Sequence, residues 1–255
     1  MRVETRFYAE LNDLLPRDRR GQAFTVEVAP GTTVKDLAES LGVPHTEIDV
    51  ILVNSEPVGL AHRIRDGDRV SVYPMFEAFD VTSHAPFRPS PLRTPRFVLD
   101  VHLGKLARGL RLLGFDTRWH NHASDEDLVR ASLREHRVLL TRDRGLLKRS
   151  AVTHGYLVRE TAWRAQVQEV LRRFDLFDAV EPFRRCLECN GQLEEVAKAD
   201  VDDQLSPRTR RDYDEFHRCL GCGRVYWRGS HFDRLRTVVD ELRRGGPGAS
   251  GRLLS

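Results

Sequence analysis

The chain has 255 residues, of which 31% are charged and 40% are hydrophobic, and its formal net charge at pH 7 is +3. This composition is ordinary for globular domains and leaves room for two or three of them. No apolar run approaches the ~20 residues that span a bilayer, and the N-terminus lacks the order of a signal peptide, so we expect a cytoplasmic protein that does not associate with membranes.

The charge is unevenly distributed along the chain. Residues 1–80 carry 9 Lys or Arg against 14 Asp or Glu, whereas residues 93–185 carry 19 against 12. Arginine supplies 37 of the 41 basic residues. Arginine suits bidentate contacts with phosphate, although a GC-rich genome would enrich it equally. The positive balance of the second segment favours a polyanionic partner.

Residues 1–80 show the element order of a β-grasp domain. Thr32 or Thr33 is placed to cap the helix of this domain, and Gly42 follows its end. Apolar or alternating stretches predict the strands on either side. In chain order the predicted elements are a strand in VETRFYAEL, a strand at residues 24–28, the helix in VKDLAESLG, a strand at residues 49–53 and a strand in RVSVYP.

Three stretches of this domain, TVKDLAESLGV, VNSEPV and RIRDGDRVSVYP, resemble the ubiquitin-like sulfur-carrier proteins of thiamin and molybdopterin synthesis. Those carriers end in a Gly-Gly that is activated as a thiocarboxylate. This chain has Met75-Phe76-Glu77 after its last strand and then continues. We therefore expect the domain to have a structural role or to bind a protein partner, and not to act as a sulfur carrier.

Residues 81–95 contain four prolines and little periodicity, which indicates an extended linker. Residues 96–180 then alternate strands and helices. Such alternation predicts an α/β domain with an open, largely parallel sheet and helices on both faces. Its predicted elements are strands in RFVLDV and at 115–120, 138–141 and 155–158, with helices in LGKLARGLRLLG, in SDEDLVRASLREH and at 163–174.

Three aspartates of this domain, Asp100, Asp125 and Asp143, occupy strand ends or helix starts. Asp100 and Asp143 follow the first and third strands, and open parallel sheets bind ligands beyond the carboxyl ends of their strands. Three carboxylates gathered there would repel one another unless a hard cation such as Mg²⁺ or Mn²⁺ joined them. Helix capping is the alternative, because Asp125 and Asp127 fit a first helical turn and Asp143 could cap the helix that follows it.

The segments FVLDVHLGKLARGLRLLGFDTRW, SDEDL and VLLTRDRGLL, together with CGRVYWRGSH further on, resemble the Mut-seven C-terminal RNase domain family, a branch of the PIN-like nucleases. The resemblance covers about residues 95–235. It implies a PIN-like Rossmannoid sheet followed by a zinc ribbon, and a β-grasp domain before this module is a known arrangement. It further implies that Asp100, Asp125 and Asp143 bind Mg²⁺ or Mn²⁺ and catalyse RNA hydrolysis. The sequence itself offers Asp127 as a competitor for the second position.

Basic residues surround these positions in the sequence. Lys105, Arg108 and Arg111 fall on one predicted helix, and Arg142 and Arg144 flank the third aspartate. They form either a solvated helix face or a set of contacts with the phosphates of RNA. Both interpretations stay open at this point.

Two cysteine pairs, Cys186-x-x-Cys189 and Cys219-x-x-Cys222, follow the central domain. Four thiolates close the coordination sphere of one Zn²⁺ ion, which predicts a structural metal site. Residues 181–235 would then form a zinc ribbon with an inserted loop at about 198–215. We expect residues 236–255 to form a helical end and a disordered, Gly-rich tail.

These features predict a divalent-metal-dependent ribonuclease that consists of a β-grasp domain, a PIN-like domain and a zinc ribbon. In mechanism, the aspartates hold the cation and nearby arginines offset the charge that develops on the phosphate. The alternative is a non-catalytic RNA-binding or adaptor protein, in which the basic face and the zinc ribbon bind RNA and the acids only cap helices. A partner that docks on the β-grasp domain fits either hypothesis.

Overall fold

The computed structural model describes residues 1–74 and 95–244. The predictions of a linker at residues 81–95 and of a Gly-rich tail fall largely outside these ranges, as does the segment Met75-Phe76-Glu77. Within the two described ranges, no helix has the length and apolar character that crossing a membrane requires.

Residues 1–74 form a mixed sheet with one α-helix against it. The elements are β1 (Arg2–Phe7), β2 (Phe24–Glu27), α1 (Val34–Ser40), β3 (Ile48–Val53), β4 (Glu56–Pro57) and β5 (Arg69–Pro74). The sheet has the strand order β2-β1-β5-β3-β4, in which β1 and β5 are parallel and the other neighbours are antiparallel. A parallel central pair flanked by antiparallel strands confirms the predicted β-grasp fold.

Helix α1 begins with a capping box. Thr33 Oγ1 accepts from the backbone N–H of Asp36 at 3.2 Å, and the Asp36 carboxylate accepts from the backbone N–H of Thr33 at 3.0 Å. The Thr33 hydroxyl also donates to the Asp36 carboxylate at 2.6 Å, and this bond, followed by the bond from the backbone N–H of Thr33, lowers the pKa of Asp36. The N-cap is therefore Thr33 and not Thr32, and Gly42 follows the helix with φ +94°, a conformation that glycine adopts without strain.

The central part of the chain alternates strands and helices as predicted. The elements are β6 (Phe97–Leu99), α2 (Gly104–Leu112), β7 (Thr117–Trp119), α3 (Asp125–Glu135), β8 (Val138–Thr141), α4 (Arg144–Leu147), β9 (Gly155–Leu157) and α5 (Trp163–Arg173). Strand β6 is parallel to β7, and β8 is parallel to β9. Every residue of β6 and β8 is buried, as expected for strands of a parallel sheet covered on both faces.

The elements of the cysteine-bearing part are β10 (Leu193–Val196), α6 (Pro207–Asp212), β11 (Phe216–Cys219), β12 (Val225–Trp227) and α7 (Ser230–Arg243). The strands form an antiparallel sheet with the order β10-β11-β12. The predicted inserted loop contains α6 and packs around a small core of Val201, Leu205 and Phe216. Helix α7 begins at Ser230, inside the segment expected to belong to the ribbon.

The described residues form two compact units that do not follow chain order. The first contains residues of Met1–Thr94 and Ser124–Leu157, and the second contains residues of Pro95–Ala123 and Val158–Ser255. The segment 96–180, predicted as one domain, thus contributes to both units. In the second unit α2 packs closely on α5, since a Cβ atom at Gly109 would lie 2.6 Å from Val167 Cγ2.

Candidate functional site

Asp100 lies directly after the buried strand β6. It is half-buried, and its backbone carbonyl accepts from the N–H of Leu103 at 3.0 Å in the 3₁₀ turn Val101–Leu103. Because β6 runs parallel to β7, Asp100 stands at the carboxyl end of a parallel strand. Open α/β sheets present their ligand-binding groups at such positions.

Asp143 follows β8 and is the N-cap of α4, which begins at Arg144. Its Oδ1 accepts from the backbone N–H of Gly145 at 2.7 Å, and its own N–H donates to Thr141 Oγ1 at 2.9 Å. The capping role proposed for it is therefore confirmed. The side chain is exposed, and Oδ2 has no partner within residues 1–74 and 95–244. One carboxylate oxygen of Asp143 is thus available to a further ligand.

Asp125 and Asp127 occupy the same turn of α3 but have different partners. Asp125 Oδ2 forms an ion pair with Arg149 at 2.9 Å, and Glu126 binds the same guanidinium at 3.1 Å. Asp127 closes a capping box with Ser124, whose hydroxyl donates to Asp127 Oδ2 at 2.8 Å. Capping thus occupies Asp127, whereas the charge of Asp125 is balanced by one partly exposed arginine.

The four basic side chains predicted to contact substrate differ in their surroundings. Arg144 donates to a backbone carbonyl of the β-grasp domain at 3.1 Å, and Arg108 forms an ion pair with Glu188 at 3.0 Å. Lys105 and Arg142 are exposed and have no partner in the described part of the chain. Those two are the cations most readily available to an anionic ligand.

The expectation that Arg111 belongs to an exposed, phosphate-binding helix face is wrong. Its side chain is only 2% exposed. The guanidinium donates to the carbonyl oxygens of Thr117, Leu187 and Glu188 at 2.9, 3.1 and 2.8 Å. Burial lowers the pKa of Arg111, although nearby thiolates and Glu188 oppose this effect. Arg111 therefore anchors the turn between the first two cysteines.

The β-grasp domain contacts the end of β9 within the first unit. The Glu47 carboxylate, 1% exposed, accepts from the backbone N–H of Leu157 at 2.6 Å. His45 bonds through Nε2 to the carbonyl oxygen of Val152 at 2.8 Å and through Nδ1 to Glu39 at 2.7 Å. A buried carboxylate that accepts from a strand N–H satisfies a backbone donor that would otherwise be costly to bury.

Helix α4 is bound to the β-grasp domain at both of its ends. Arg144, its first residue, donates to the carbonyl oxygen of Leu14. Lys148, which follows its last residue, donates to the carbonyl oxygen of Glu39. The β-grasp domain thus holds the helix that Asp143 caps, a contact that the sequence pattern did not predict.

The four cysteines are positioned to bind one metal ion. The sulfur atoms of Cys186, Cys189, Cys219 and Cys222 all lie within 4.8 Å of one another. The Cys186–Cys222 and Cys189–Cys219 sulfur distances are 3.7 and 3.3 Å. A tetrahedral ion with metal–sulfur bonds of ~2.3 Å needs sulfurs roughly 3.8 Å apart, so the group fits zinc. In the described residues, no set of carboxylates gathers as closely.

The surroundings favour the thiolate form of Cys186 and disfavour that of Cys189. Burial acts to raise the pKa of Cys186, but hydrogen bonds from the Tyr226 hydroxyl and from backbone N–H groups lower it to about 6. Burial raises the pKa of Cys189 to about 12, so that thiol loses its proton only to a cation. Gly191 leaves room for the cluster, since a Cβ atom there would lie 2.8 Å from Cys219 Sγ.

Two residues support this cluster from outside the coordination sphere. The Tyr226 hydroxyl lies within hydrogen-bond distance of Cys186 Sγ, at 3.1 Å, so Tyr226 belongs to the support of the metal site. Arg111 supports the same loop from α2. A polar residue between the apolar positions Leu110 and Leu112 was the signal that could have revealed its burial.

Solved structures similar to the N-terminal part are small β-grasp proteins. SAMP1 from Haloferax volcanii is 20% identical, covers 31% of this chain and 100% of its own, and has a TM-score of 0.25. A putative molybdopterin converting factor, subunit 1, from Pyrococcus furiosus is 27% identical, covers 29% of this chain and 98% of its own, and has a TM-score of 0.23. At these scores the fold assignment rests on the strand order of the sheet.

Family models cover nearly the whole chain. The Mut7-C ubiquitin model matches residues 1–80, and the Mut7-C RNAse domain model matches residues 95–239. No match was found among curated proteins. Because the second model spans more than half of the chain, this protein belongs to the Mut7-C RNAse domain family, with a Mut7-C ubiquitin domain at its N-terminal end.

Proposed function

We propose that this protein is a ribonuclease that hydrolyses RNA phosphodiester bonds with the aid of Mg²⁺ or Mn²⁺. One observation carries the proposal: in a chain of an RNAse-domain family, Asp100 and Asp143 each follow a buried strand that has a parallel neighbour. Carboxylates at the ends of parallel strands are suited to hard cations that also bind phosphate.

Asp100, Asp125 and Asp143 would hold the cation. When bound, it would lower the pKa of an attacking water and stabilise the charge that develops on the leaving oxygen. The donor set fits this role, because carboxylate oxygens are the ligands that Mg²⁺ and Mn²⁺ prefer. Asp143 has an oxygen without a partner in the described residues, and Asp125 is balanced by one exchangeable ion pair.

Basic side chains of the chain would bind and orient the RNA phosphates. Arg142 and Lys105 are exposed and have no partner in the described residues, so they are free to contact a phosphate. Arg149 would release Asp125 when the carboxylate takes up a cation, because the ion pair is partly exposed and such pairs are weak, about 0–1 kcal/mol. The released guanidinium could then offset phosphate charge.

The decisive experiment compares Asp143→Asn with wild type. Asparagine caps helices about as well as aspartate, so α4 and the melting temperature should be preserved while the negative charge is lost. With zinc-loaded protein, a mixed RNA pool and Mn²⁺, we expect wild type to cleave RNA. The cleavage rate of the variant should be lower by at least about 100-fold, the effect of removing one group that stabilises charge in a transition state. Cleavage by Asp143→Asn at the wild-type rate would refute the proposal.

Asp127→Asn is the matched control for Asp125→Asn. The two residues share one helical turn, and only Asp127 closes the capping box. We expect Asp125→Asn to abolish cleavage and Asp127→Asn to retain it. The opposite result would assign the second ligand position to Asp127.

A non-catalytic RNA-binding or adaptor function is the second candidate. It is favoured by the structural roles of two of the carboxylates, since Asp143 caps α4 and Asp125 pairs with Arg149. Calorimetric titration with Mn²⁺ separates the two functions, because a carboxylate site binds the cation and loses it in Asp100→Asn. Wild type that binds RNA, binds no Mn²⁺ and cuts nothing would establish the adaptor function.

A further inference from the structure

The second unit contains a cleft of about 720 Å³ between β12, α6, the start of α7 and the segment before the zinc ribbon. Ligand-binding sites commonly have volumes of ~300–1,000 Å³. The charged residues that line this cleft are several arginines and a single carboxylate, that of Glu188. The arginines are Arg108, Arg184, Arg185, Arg208, Arg224 and Arg228.

Most of these arginines are able to exchange their present partners for an anion. Arg224 is exposed, and its guanidinium has no hydrogen bond or ion pair in the described residues. The ion pairs of Arg184, Arg208 and Arg228 with Glu181, Asp212 and Glu215 are largely exposed and therefore weak. Arg185 differs, because it donates to two backbone carbonyls and is held in place. The cleft thus offers positive charge that phosphate groups could neutralise.

Aromatic side chains line the same cleft. Trp227, on β12, is 39% exposed and is one of the few large hydrophobic residues that are exposed in the described chain. Phe183 and Phe232 pack with ring centroids 4.4 Å apart, and the Arg228 guanidinium lies 5.9 Å from the Phe232 centroid. An exposed indole among arginines can stack on a nucleobase while the guanidinium groups contact the phosphates.

We propose that this cleft binds single-stranded RNA, with Trp227 stacking on a base and Arg224 contacting a phosphate. The inference rests on the proposed function, in which RNA is the substrate, and adds a site that holds the strand. An acidic peptide would satisfy the arginines but would leave the indole without a stacking partner. Duplex RNA keeps its bases stacked and is contacted across its minor groove, so a concave aromatic cleft does not suit it.

The test is fluorescence anisotropy with a labelled single-stranded 10-mer RNA and zinc-loaded protein. All proteins carry Asp143→Asn and no Mg²⁺ or Mn²⁺ is added, so that cleavage does not interfere. Arg224→Ala should weaken binding and reduce the slope of log K against log salt by about 0.7, the effect of losing one phosphate contact on a single strand. Trp227→Leu should weaken binding about 5- to 150-fold, which corresponds to ~1–3 kcal/mol of stacking per base, and leave the slope unchanged.

Trp227→Phe retains a ring that can stack, so it should restore most of the affinity. Arg134 is an exposed arginine of α3, and Arg134→Ala is the matched control for the loss of one positive charge. Zinc content and circular dichroism establish that each variant is folded. Wild-type affinity in both Arg224→Ala and Trp227→Leu, or equal competition by duplex RNA or polyglutamate, would overturn the inference. Weakened binding in these variants, together with no cleavage of RNA by wild type in the presence of Mn²⁺, would refute the proposed nuclease and leave the cleft intact.

Discussion

Replacing Arg111 by methionine tests whether a buried cation holds the metal-binding loop. The side chain is 2% exposed and donates to the carbonyl oxygens of Thr117, Leu187 and Glu188. The last two residues lie between Cys186 and Cys189, so the guanidinium fixes the turn that presents this cysteine pair. Methionine is about as long and apolar, but it donates no hydrogen bonds.

The expected loss follows from these three contacts. A hydrogen bond to a charged group contributes ~1.5–3 kcal/mol, and an unpaired buried acceptor costs about 1–3 kcal/mol. The bond to Thr117 is buried, whereas the bonds to Leu187 and Glu188 are partly buried, so water replaces part of those two. We expect a loss of about 3–5 kcal/mol in the free energy of unfolding, the range found when one side of a buried charged contact is removed. The corresponding fall in melting temperature is on the order of 10 °C.

Zinc affinity supplies the second measurement. Groups that orient metal ligands from outside the coordination sphere typically change affinity by about 10–100-fold, and we expect a weakening of this size in competition with a chromogenic chelator. Arg108→Met is the matched control, since Arg108 lies on the same helix and its side chain forms a largely exposed ion pair with Glu188 as its one contact of this kind in the described residues. Its loss should stay below about 1 kcal/mol. If Arg111→Met matched Arg108→Met in both zinc affinity and melting temperature, the reasoning would be refuted.

Three further predictions concern the first unit. Glu47→Ala should lower the free energy of unfolding by about 2–3 kcal/mol, because the N–H of Leu157 loses its carboxylate acceptor. Glu47→Gln retains an acceptor and should lose less, so equal losses of the two variants in urea denaturation would contradict this prediction. Asp127→Ala should cost about 1 kcal/mol through loss of its capping box, measured in the same way, and an unchanged midpoint would show that the cap contributes nothing. Burial, and to a smaller extent the charge of His136, lowers the pKa of His154 below its ordinary 6.5. As the pH drops below 6.5, the unfolded chain therefore binds a proton at His154 before the folded chain does, and the free energy of unfolding falls. His154→Gln should flatten that part of the stability profile, and an identical slope would exclude His154 as its source.

Local signals in the sequence were sufficient for most of the elements. The pattern RVSVYP predicted β5 and residues 138–141 predicted β8 with the observed bounds, because alternation and continuous apolar runs are read within one segment. The N-cap of α1 was predicted only as Thr32 or Thr33, and the structure assigns it to Thr33, which forms a capping box with Asp36. Strand β4, with two residues, escaped prediction because an element so short has no period.

Contacts between distant segments were beyond a reading of local patterns. Arg111 appeared to share an exposed face with Lys105 and Arg108, since helical spacing alone does not reveal which segment covers a face. Its partners Leu187 and Glu188 lie 76 and 77 residues further along the chain. The bond from Leu157 to Glu47 joins residues 110 positions apart. The cysteine group, in contrast, was predictable because metal coordination brings distant thiols together whatever lies between them.

The contacts on α4 connect the β-grasp domain with a proposed catalytic carboxylate. Helix α4 has only four residues, too few to be stable through its own hydrogen bonds. Its position therefore depends on Asp143, which caps it, and on Arg144 and Lys148, which bind carbonyl oxygens of the β-grasp domain. After the last strand of this domain the chain continues as Met75-Phe76-Glu77, where the sulfur carriers that it resembles end in Gly-Gly. We propose that this domain supports the helix that Asp143 caps, because Arg144 and Lys148 donate to its backbone carbonyl oxygens.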